Sequence, residues 1–126
     1  MSLKVELKPG ERLIVGTAVI TNSDQRTRLL IDGNLPILRE KDILTFEEAN
    51  TTAKLIYLAV QLMYLEGTFQ SSGSDYVRLV DAFAKLHPES RPLLQEISDL
   101  IVSSDLYRAL KAARKLEAYE SSSPTA

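Results

Sequence analysis

The 126-residue sequence contains no cysteine and a single histidine, His87. Without cysteine it can form no disulfide bond and no thiolate metal site, which suits a reducing compartment. No stretch approaches the roughly 18 to 20 apolar residues that cross a membrane, and the first residues show no apolar run followed by a small-residue cleavage site. We therefore expect a cytoplasmic protein without membrane contact.

The residue patterns of known enzyme sites are missing as well. His87 stands directly before Pro88, a place more typical of a surface or capping residue than of a catalyst or metal ligand. Gly10, Gly16 and Gly33 lack the spacing of a phosphate-binding loop. We assign no catalytic residue, no metal and no cofactor, and we expect the protein not to be an enzyme.

An excess of basic residues is also absent, since the net charge is −2 and the isoelectric point is near 5.4. A generic nucleic-acid binder is disfavoured, because counterion release needs clustered Lys and Arg. Residues 1–45 carry seven cationic and six anionic side chains, residues 46–104 carry four and eight, and residues 105–126 carry four and three. Any nucleic acid would have to be bound by a few placed arginines and backbone groups.

What the sequence does contain is a series of short apolar or alternating segments near its start. They are rich in aliphatic and β-branched residues, and turn residues separate them. The five candidate strands are residues 3–7, 13–15, 18–20, 27–31 and 36–38. We predict a small antiparallel β unit of five strands over residues 1–45.

From Thr45 onward the apolar residues repeat at helical spacing. Thr45 and Glu48 form a capping-box pattern, and residues 50–52 offer a second possible start for the first helix. That helix is apolar around much of its circumference, so we expect it to be central, and Gly67 should end it. Residues 68–74 have the composition of a flexible loop, in which Phe69 is either tucked back or exposed.

Three further helices are predicted, with Asp75, Ser90 and Ser104 as their caps. The first of them should stop at His87, because the residue before a proline disfavours the helical conformation. The sequence therefore predicts an α+β protein. A bundle of about four helices over residues 46–120 packs on the β unit, and residues 121–126 form a disordered tail.

The whole chain resembles the FlbT family of flagellin-synthesis regulators. The resemblance rests on the blocks LKVELKPGERLIVGTAVITN, RTRLLIDG, PILREKDIL, IYLAVQLMYLEG and ALKAARKLEAYE. It implies a post-transcriptional repressor that binds the 5′ untranslated region of flagellin mRNA. Such a protein lowers the translation or lifetime of that mRNA and so restrains flagellum assembly.

The first third separately resembles the small RNA-binding carbon storage regulators of the CsrA type. The shared pattern comprises Gly10-Glu11, an aliphatic strand ending at Gly16, a strand like residues 28–33, and Arg39-Glu40 before Ile43. In that family the arginine near the end of the last strand is the main RNA contact, which implies this role for Arg39. The same resemblance implies a homodimer.

Arg39 and Arg28 are therefore the leading candidates for RNA contact. A guanidinium can stack on an unpaired base and donate a bidentate fork to guanine or phosphate. The predicted RNA-binding residues are Arg39, Arg28, Leu38, Glu40, Lys4 and Arg12, with backbone groups offered by Leu38 and Glu40. Against this, Arg39 is followed by the acidic residues Glu40 and Asp42 and could be an ordinary salt-bridged surface residue. The strand register decides whether the other cations share one sheet.

Two further possibilities remain open at the level of sequence. The last helix carries a basic face, Arg108, Lys111, Arg114 and Lys115, which could contact phosphates or could simply be the charged side of an amphipathic helix. The alternative function is a protein-interaction adaptor or chaperone-like module. In that case the helical half binds flagellin or another flagellar regulator without direct RNA contact.

Overall fold

The computed structural model describes residues 2–67, 69 and 72–122. Thr68, Gln70 and Ser71 of the predicted loop and residues 123–126 of the predicted tail lie outside the described residues. The chain forms two compact units, residues 1–43 and residues 44–126. The first contains the strands and the second contains the α-helices, so the predicted α+β class is confirmed.

The β unit contains the five predicted strands, and all of its strand pairs are antiparallel. They are β1 (Ser2–Leu7), β2 (Arg12–Val15), β3 (Ala18–Thr21), β4 (Thr27–Asp32) and β5 (Ile37–Arg39). They do not form a single five-stranded sheet. Instead β1 pairs with β4, and a second sheet has the order β3-β2-β5.

A small apolar core explains this arrangement. Val5, Leu7 and Leu13 are almost fully buried. Partly buried aliphatic side chains of β2, β4 and β5 pack against these three: Val15, Leu29, Ile31 and Ile37. Because side chains alternate between the two faces of a strand, each sheet turns one face toward this core. The other face also carries apolar residues: Ile14 and the buried Leu38 in the three-stranded sheet, and the exposed Leu30 in the two-stranded one.

The hairpin between β2 and β3 depends on Gly16. The register pairs Val15 with Ala18, which leaves a two-residue loop whose first residue has a φ of +61°. Two-residue hairpin loops need such left-handed backbone because its twist matches that of the strands, and glycine adopts it without steric cost. The Gly16 amide also donates to the Pro36 carbonyl at 2.8 Å, which fixes the segment leading into β5.

The helical unit consists of α1 (Thr52–Glu66), α2 (Gly73–Leu86), α3 (Arg91–Val102), α4 (Leu106–Arg114) and α5 (Glu117–Ser122). Short 3₁₀ turns lie at Phe46–Glu48 and Pro88–Ser90, and a third lies at Glu40–Asp42 in the β unit. Helix α1 contacts α2, α4 and α5, and it buries Ala53, Ile56, Val60 and Met63. The prediction that α1 is the central helix is confirmed.

Both predicted stop signals are found where the sequence places them. Gly67 follows α1 with a φ of +73°, and its amide donates to the Met63 carbonyl. His87 follows α2, and its amide donates to the Phe83 carbonyl. His87 is therefore the capping residue of this helix end, and the centre of its ring lies 4.7 Å from that of the Phe83 ring.

The predicted helix starts are partly wrong. Helix α1 begins at the second possible start, where the Thr51 hydroxyl accepts from the Lys54 amide at 3.2 Å. The Thr45 and Glu48 pair instead closes a 3₁₀ turn, in which the Glu48 carboxylate accepts from the Thr45 amide at 3.0 Å. Several consecutive residues here can cap a helix, and local sequence does not select among them.

None of the other three predicted side chains caps its helix. Asp75 does not cap α2, since it lies in the first turn and pairs with Arg78, and Ser72 precedes the helix. Ser104 does not cap α4, because its backbone is left-handed and Asp105 precedes the helix. Ser90 does precede α3, but its hydroxyl donates to the His87 carbonyl at 2.6 Å instead of capping.

No helix among the described residues is long and apolar enough to cross a membrane.

Candidate nucleic-acid interface

Arg39 is the last residue of β5, which lies at one end of the three-stranded sheet. Within the described residues β2 is the only strand that pairs with β5, so β5 is an edge strand of this sheet. The Arg39 side chain is exposed. Among the described residues it makes no hydrogen bond and no ion pair, either with Glu40 or with Asp42. Its guanidinium is therefore available to a ligand.

Glu40 is held by a different arginine. One Glu40 carboxylate oxygen accepts from both the backbone amide and the Nε of Arg12, each at 3.1 Å. The two side chains are 48% and 39% exposed, so the ion pair contributes little stability. The ion pair does, however, turn the Glu40 carboxylate toward Arg12 on β2 and away from Arg39. Arg39 is therefore not neutralised by the residue beside it.

Leu38, unlike the other predicted contacts, has a buried side chain. Its side chain is only 1% exposed, and it lies in the middle of β5. A buried side chain cannot reach a ligand, so Leu38 can offer only backbone groups at the strand edge.

Lys4 and Arg28 belong to the other sheet. They lie on the outer face of the β1 and β4 pair, where Lys4 is opposite Leu30 and Arg28 is opposite Glu6. The structure thus divides the six predicted residues between two sheets. Arg12, Leu38, Arg39 and Glu40 lie in or beside the three-stranded sheet, and only Lys4 and Arg28 lie in the two-stranded one.

Glu6 was not predicted as part of this surface. Its carboxylate lies 3.1 Å from the Arg28 guanidinium and 3.5 Å from that of Arg26. With Thr27 these residues line a shallow cleft of about 260 Å³. Glu6 already occupies the place that a phosphate would take between two arginines, so this cleft is less suited to an anion than the surface at Arg39. Alternating charges along β1 hint at such pairing, but only the register with β4 reveals it.

The helical unit has an apolar cleft of about 510 Å³. Exposed Phe69, Val77 and Val102 line it, together with the buried ring of Tyr76. The Tyr76 hydroxyl lies 2.9 Å from the Ser98 hydroxyl. Burial raises the pKa of Tyr76 above 10.0, and the Ser98 hydrogen bond acts in the opposite direction. Apolar side chains grouped around a concave surface suit the binding of another apolar group.

Phe69 is both tucked back and exposed. Its ring lies so close to Gly73 that a Cβ atom there would come within 2.0 Å of it, yet the residue is 44% exposed. Only glycine at position 73 admits the ring.

The described residues contain no group of three histidine, aspartate or glutamate side chains that could hold a metal ion.

The sequence matches the family model described as "Flagellar protein FlbT" over residues 3–123. The chain belongs to the FlbT family. It is 61% identical over 121 residues to the probable flagellum biosynthesis repressor protein FlbT 1 of Bradyrhizobium diazoefficiens, covering 95% of this chain and 83% of that relative.

More distant FlbT relatives are similar over almost the same length. A probable flagellum biosynthesis repressor protein FlbT of Rhodopseudomonas palustris is 49% identical over 116 residues, which is 92% of each chain. The flagellum biosynthesis repressor protein FlbT of Caulobacter vibrioides is 33% identical over 124 residues, covering 95% of this chain and 87% of the relative. No solved structure matches the chain. The resemblance of the first third to the carbon storage regulators stays a prediction.

The names of the FlbT relatives describe repressors, not enzymes. This agrees with the FlbT resemblance seen in the sequence, which is confirmed.

Proposed function

We propose that this protein represses flagellum biosynthesis after transcription, by binding the 5′ untranslated region of flagellin mRNA in the cytoplasm. Bound protein would lower the translation or the lifetime of that mRNA. Family membership supports the role as a repressor, since FlbT relatives carry that name. Binding to RNA is supported by one observation above all: the Arg39 guanidinium is exposed on an edge strand and makes no hydrogen bond or ion pair among the described residues.

This arrangement suits single-stranded RNA. An unpaired base can stack on the planar guanidinium, and the same group can donate two parallel hydrogen bonds to a guanine or a phosphate. Because β5 is an edge strand, backbone groups of Leu38 and Glu40 can bond to base edges beside it. The other arginines of the β unit, Arg12, Arg26 and Arg28, are each within 3.5 Å of a carboxylate oxygen. Arg39 alone needs to break no ion pair among the described residues before it binds.

The test is a titration of labelled flagellin leader RNA with purified protein, followed by fluorescence anisotropy. A good base or stacking contact contributes about 1–3 kcal/mol, and about 1.4 kcal/mol changes affinity tenfold. We therefore expect Arg39→Ala to weaken binding by about 10- to 100-fold. Arg39→Lys should recover only part of the loss, because it keeps the charge but not the planar fork.

Arg78→Ala is the matched control, since it removes one exposed arginine from α2, where Arg78 pairs with Asp75 at 3.0 Å. It should leave the affinity within about twofold of the starting protein. Equal affinities for Arg39→Ala and the control would remove Arg39 from the interface. Absence of RNA binding even at low salt, where phosphate attraction is strongest, would refute RNA recognition altogether.

A second candidate function is an adaptor or chaperone-like module that binds flagellin or another flagellar regulator. The apolar cleft around Phe69, Val77 and Val102 favours it. Val102→Asp would place a charge at a residue that is 85% exposed, so it should abolish such binding without disturbing the fold. Capture of flagellin by the unaltered protein but not by Val102→Asp, with no RNA affinity in either, would favour the adaptor. The homodimer implied by the carbon storage regulator resemblance stays a prediction under both functions.

A further inference from the structure

Helices α3 and α4 enclose a second cleft in the helical unit, of about 310 Å³. Its lining combines two residues of α3 with residues in and just after α4: Glu96, Leu100, Arg108, Lys111, Ala112 and Lys115. We call it the basic cleft. Three of its side chains are cationic and one is anionic, in a chain whose net charge is −2.

Helical spacing places the three cations in one row. Arg108, Lys111 and Lys115 are separated by three and four residues, which brings them onto the same face of a helix over about 10 Å. Arg114, the fourth cation of the predicted basic face, does not line the basic cleft. Its guanidinium donates to the Tyr57 hydroxyl at 3.2 Å and lies 5.0 Å from that ring. The predicted face is therefore divided, and only three of its four cations line the basic cleft.

The positive charge of the basic cleft is only partly compensated. One Arg108 nitrogen lies 3.2 Å from an Asp105 oxygen, which leaves its other donors available. Among the described residues Glu96 and Lys115 make no ion pair, so the carboxylate of the cleft does not bond directly to a cation there. The Lys111 ammonium lies 5.1 Å from the centre of the Tyr107 ring. Cations near the end of α4 also stabilise the helix dipole, but that effect requires no concave surface formed with α3.

We propose that the basic cleft binds phosphate groups of flagellin leader RNA, as a second contact surface in addition to the one at Arg39. This inference rests on the proposed function. A row of cations suits a polymer that carries one charge at every nucleotide, because neighbouring phosphates can be engaged together. Such contacts hold and orient the strand without reading its sequence, whereas Arg39 contacts a base.

The dependence of RNA affinity on salt tests this proposal. The double variant Arg108→Gln and Lys115→Gln removes two cations that are exposed at the surface, so the fold should survive, as circular dichroism can verify. Each phosphate contact contributes about 0.7 to the slope of log affinity against log salt for single-stranded RNA. We expect that slope to fall by about 1.4 in the double variant. Lys85→Gln, which removes a cation paired with Asp81 on α2, should leave it unchanged.

A change of opposite sign gives an independent check. Glu96→Gln removes the one carboxylate of the basic cleft, so it should tighten RNA binding by about two- to fivefold at low salt. Loss of structure cannot produce such a gain. Glu47→Gln removes an exposed carboxylate of the Phe46–Glu48 turn and should have a smaller effect.

The outcomes separate this inference from the proposed function. Unchanged affinity and slope in the double variant, with Arg39→Ala still weakened, would overturn the basic cleft alone. An unaltered protein that binds no RNA would overturn both. Loss of polyglutamate binding in the double variant, with RNA binding intact, would mean that the cleft takes an acidic protein segment and would also overturn the proposal.

Discussion

Gln61 makes two hydrogen bonds that no local pattern predicts, and its replacement by methionine tests them. Its amide oxygen accepts from the Leu44 backbone amide at 2.9 Å, and its amide nitrogen donates to the Leu44 carbonyl at 3.0 Å. Gln61 lies on α1 and is 5% exposed. One side chain thus satisfies both backbone groups of a residue 17 positions earlier. Methionine preserves the length of this side chain but can make neither bond.

The expected cost follows from the burial of the two partners. A typical hydrogen bond contributes about 0.5–1.5 kcal/mol net, and a buried polar group left without a partner costs about 1–3 kcal/mol. Leu44 is only partly buried, so water can reach part of its freed backbone. We therefore expect Gln61→Met to lower the free energy of unfolding by about 1–3 kcal/mol. For a chain of this length the melting temperature should fall by about 4–12 °C.

Urea unfolding followed by circular dichroism measures this difference. Gln95→Met is the matched control, because Gln95 makes a single exposed side-chain bond, to Asp99 at 2.9 Å on α3. The control should change the free energy of unfolding by no more than about 0.5 kcal/mol. If the two variants lose the same stability, the Gln61 bonds to Leu44 do not stabilise the helical unit and the reasoning is wrong.

Two further predictions concern the helical unit. Gly67→Ala should destabilise the protein by about 1 kcal/mol in the same urea assay, because a residue with a Cβ is strained at a φ of +73°; unchanged stability would contradict this. Burial raises the pKa of Tyr76, so folding favours its protonated phenol, and the stability linked to it should be present below about pH 10 and lost as the pH rises further. Tyr76→Phe should remove that part of the alkaline loss in urea titrations at increasing pH, whereas Tyr107→Phe, at a 43% exposed residue, should retain it. An alkaline loss of equal size in both variants would exclude Tyr76 as its cause.

Arg39 shows how much of the candidate interface can be predicted from the sequence. Its place at the end of the last strand follows from local pattern, since the apolar segment before it is short and ends there. Whether its guanidinium is available does not follow. Glu40 adjoins Arg39 in the chain, yet it bonds to Arg12, 28 positions earlier. The pairing of β2 with β5 brings these two together, and that register is a property of the folded sheet.

The same limit explains the other differences. All six predicted interface residues lie in the β unit, but their division between two sheets depends on which apolar faces meet in the core around Leu13. Arg114 belongs to the same predicted basic face as Lys115, but its contact with Tyr57 of α1 joins residues 57 positions apart and follows only from the packing of the helices. Local sequence does not determine the helix starts either, because several adjacent residues can cap each helix.

By itself the sequence determined the α+β class, the five strands, the central helix and two helix ends, because alternation, helical spacing, Gly67 and Pro88 act within a few residues. Tertiary structure decided which strands pair, which arginines face a carboxylate and which cations line a cleft. Those features depend on contacts between residues far apart in the chain, and such contacts exist only once burial of the apolar side chains has fixed the register.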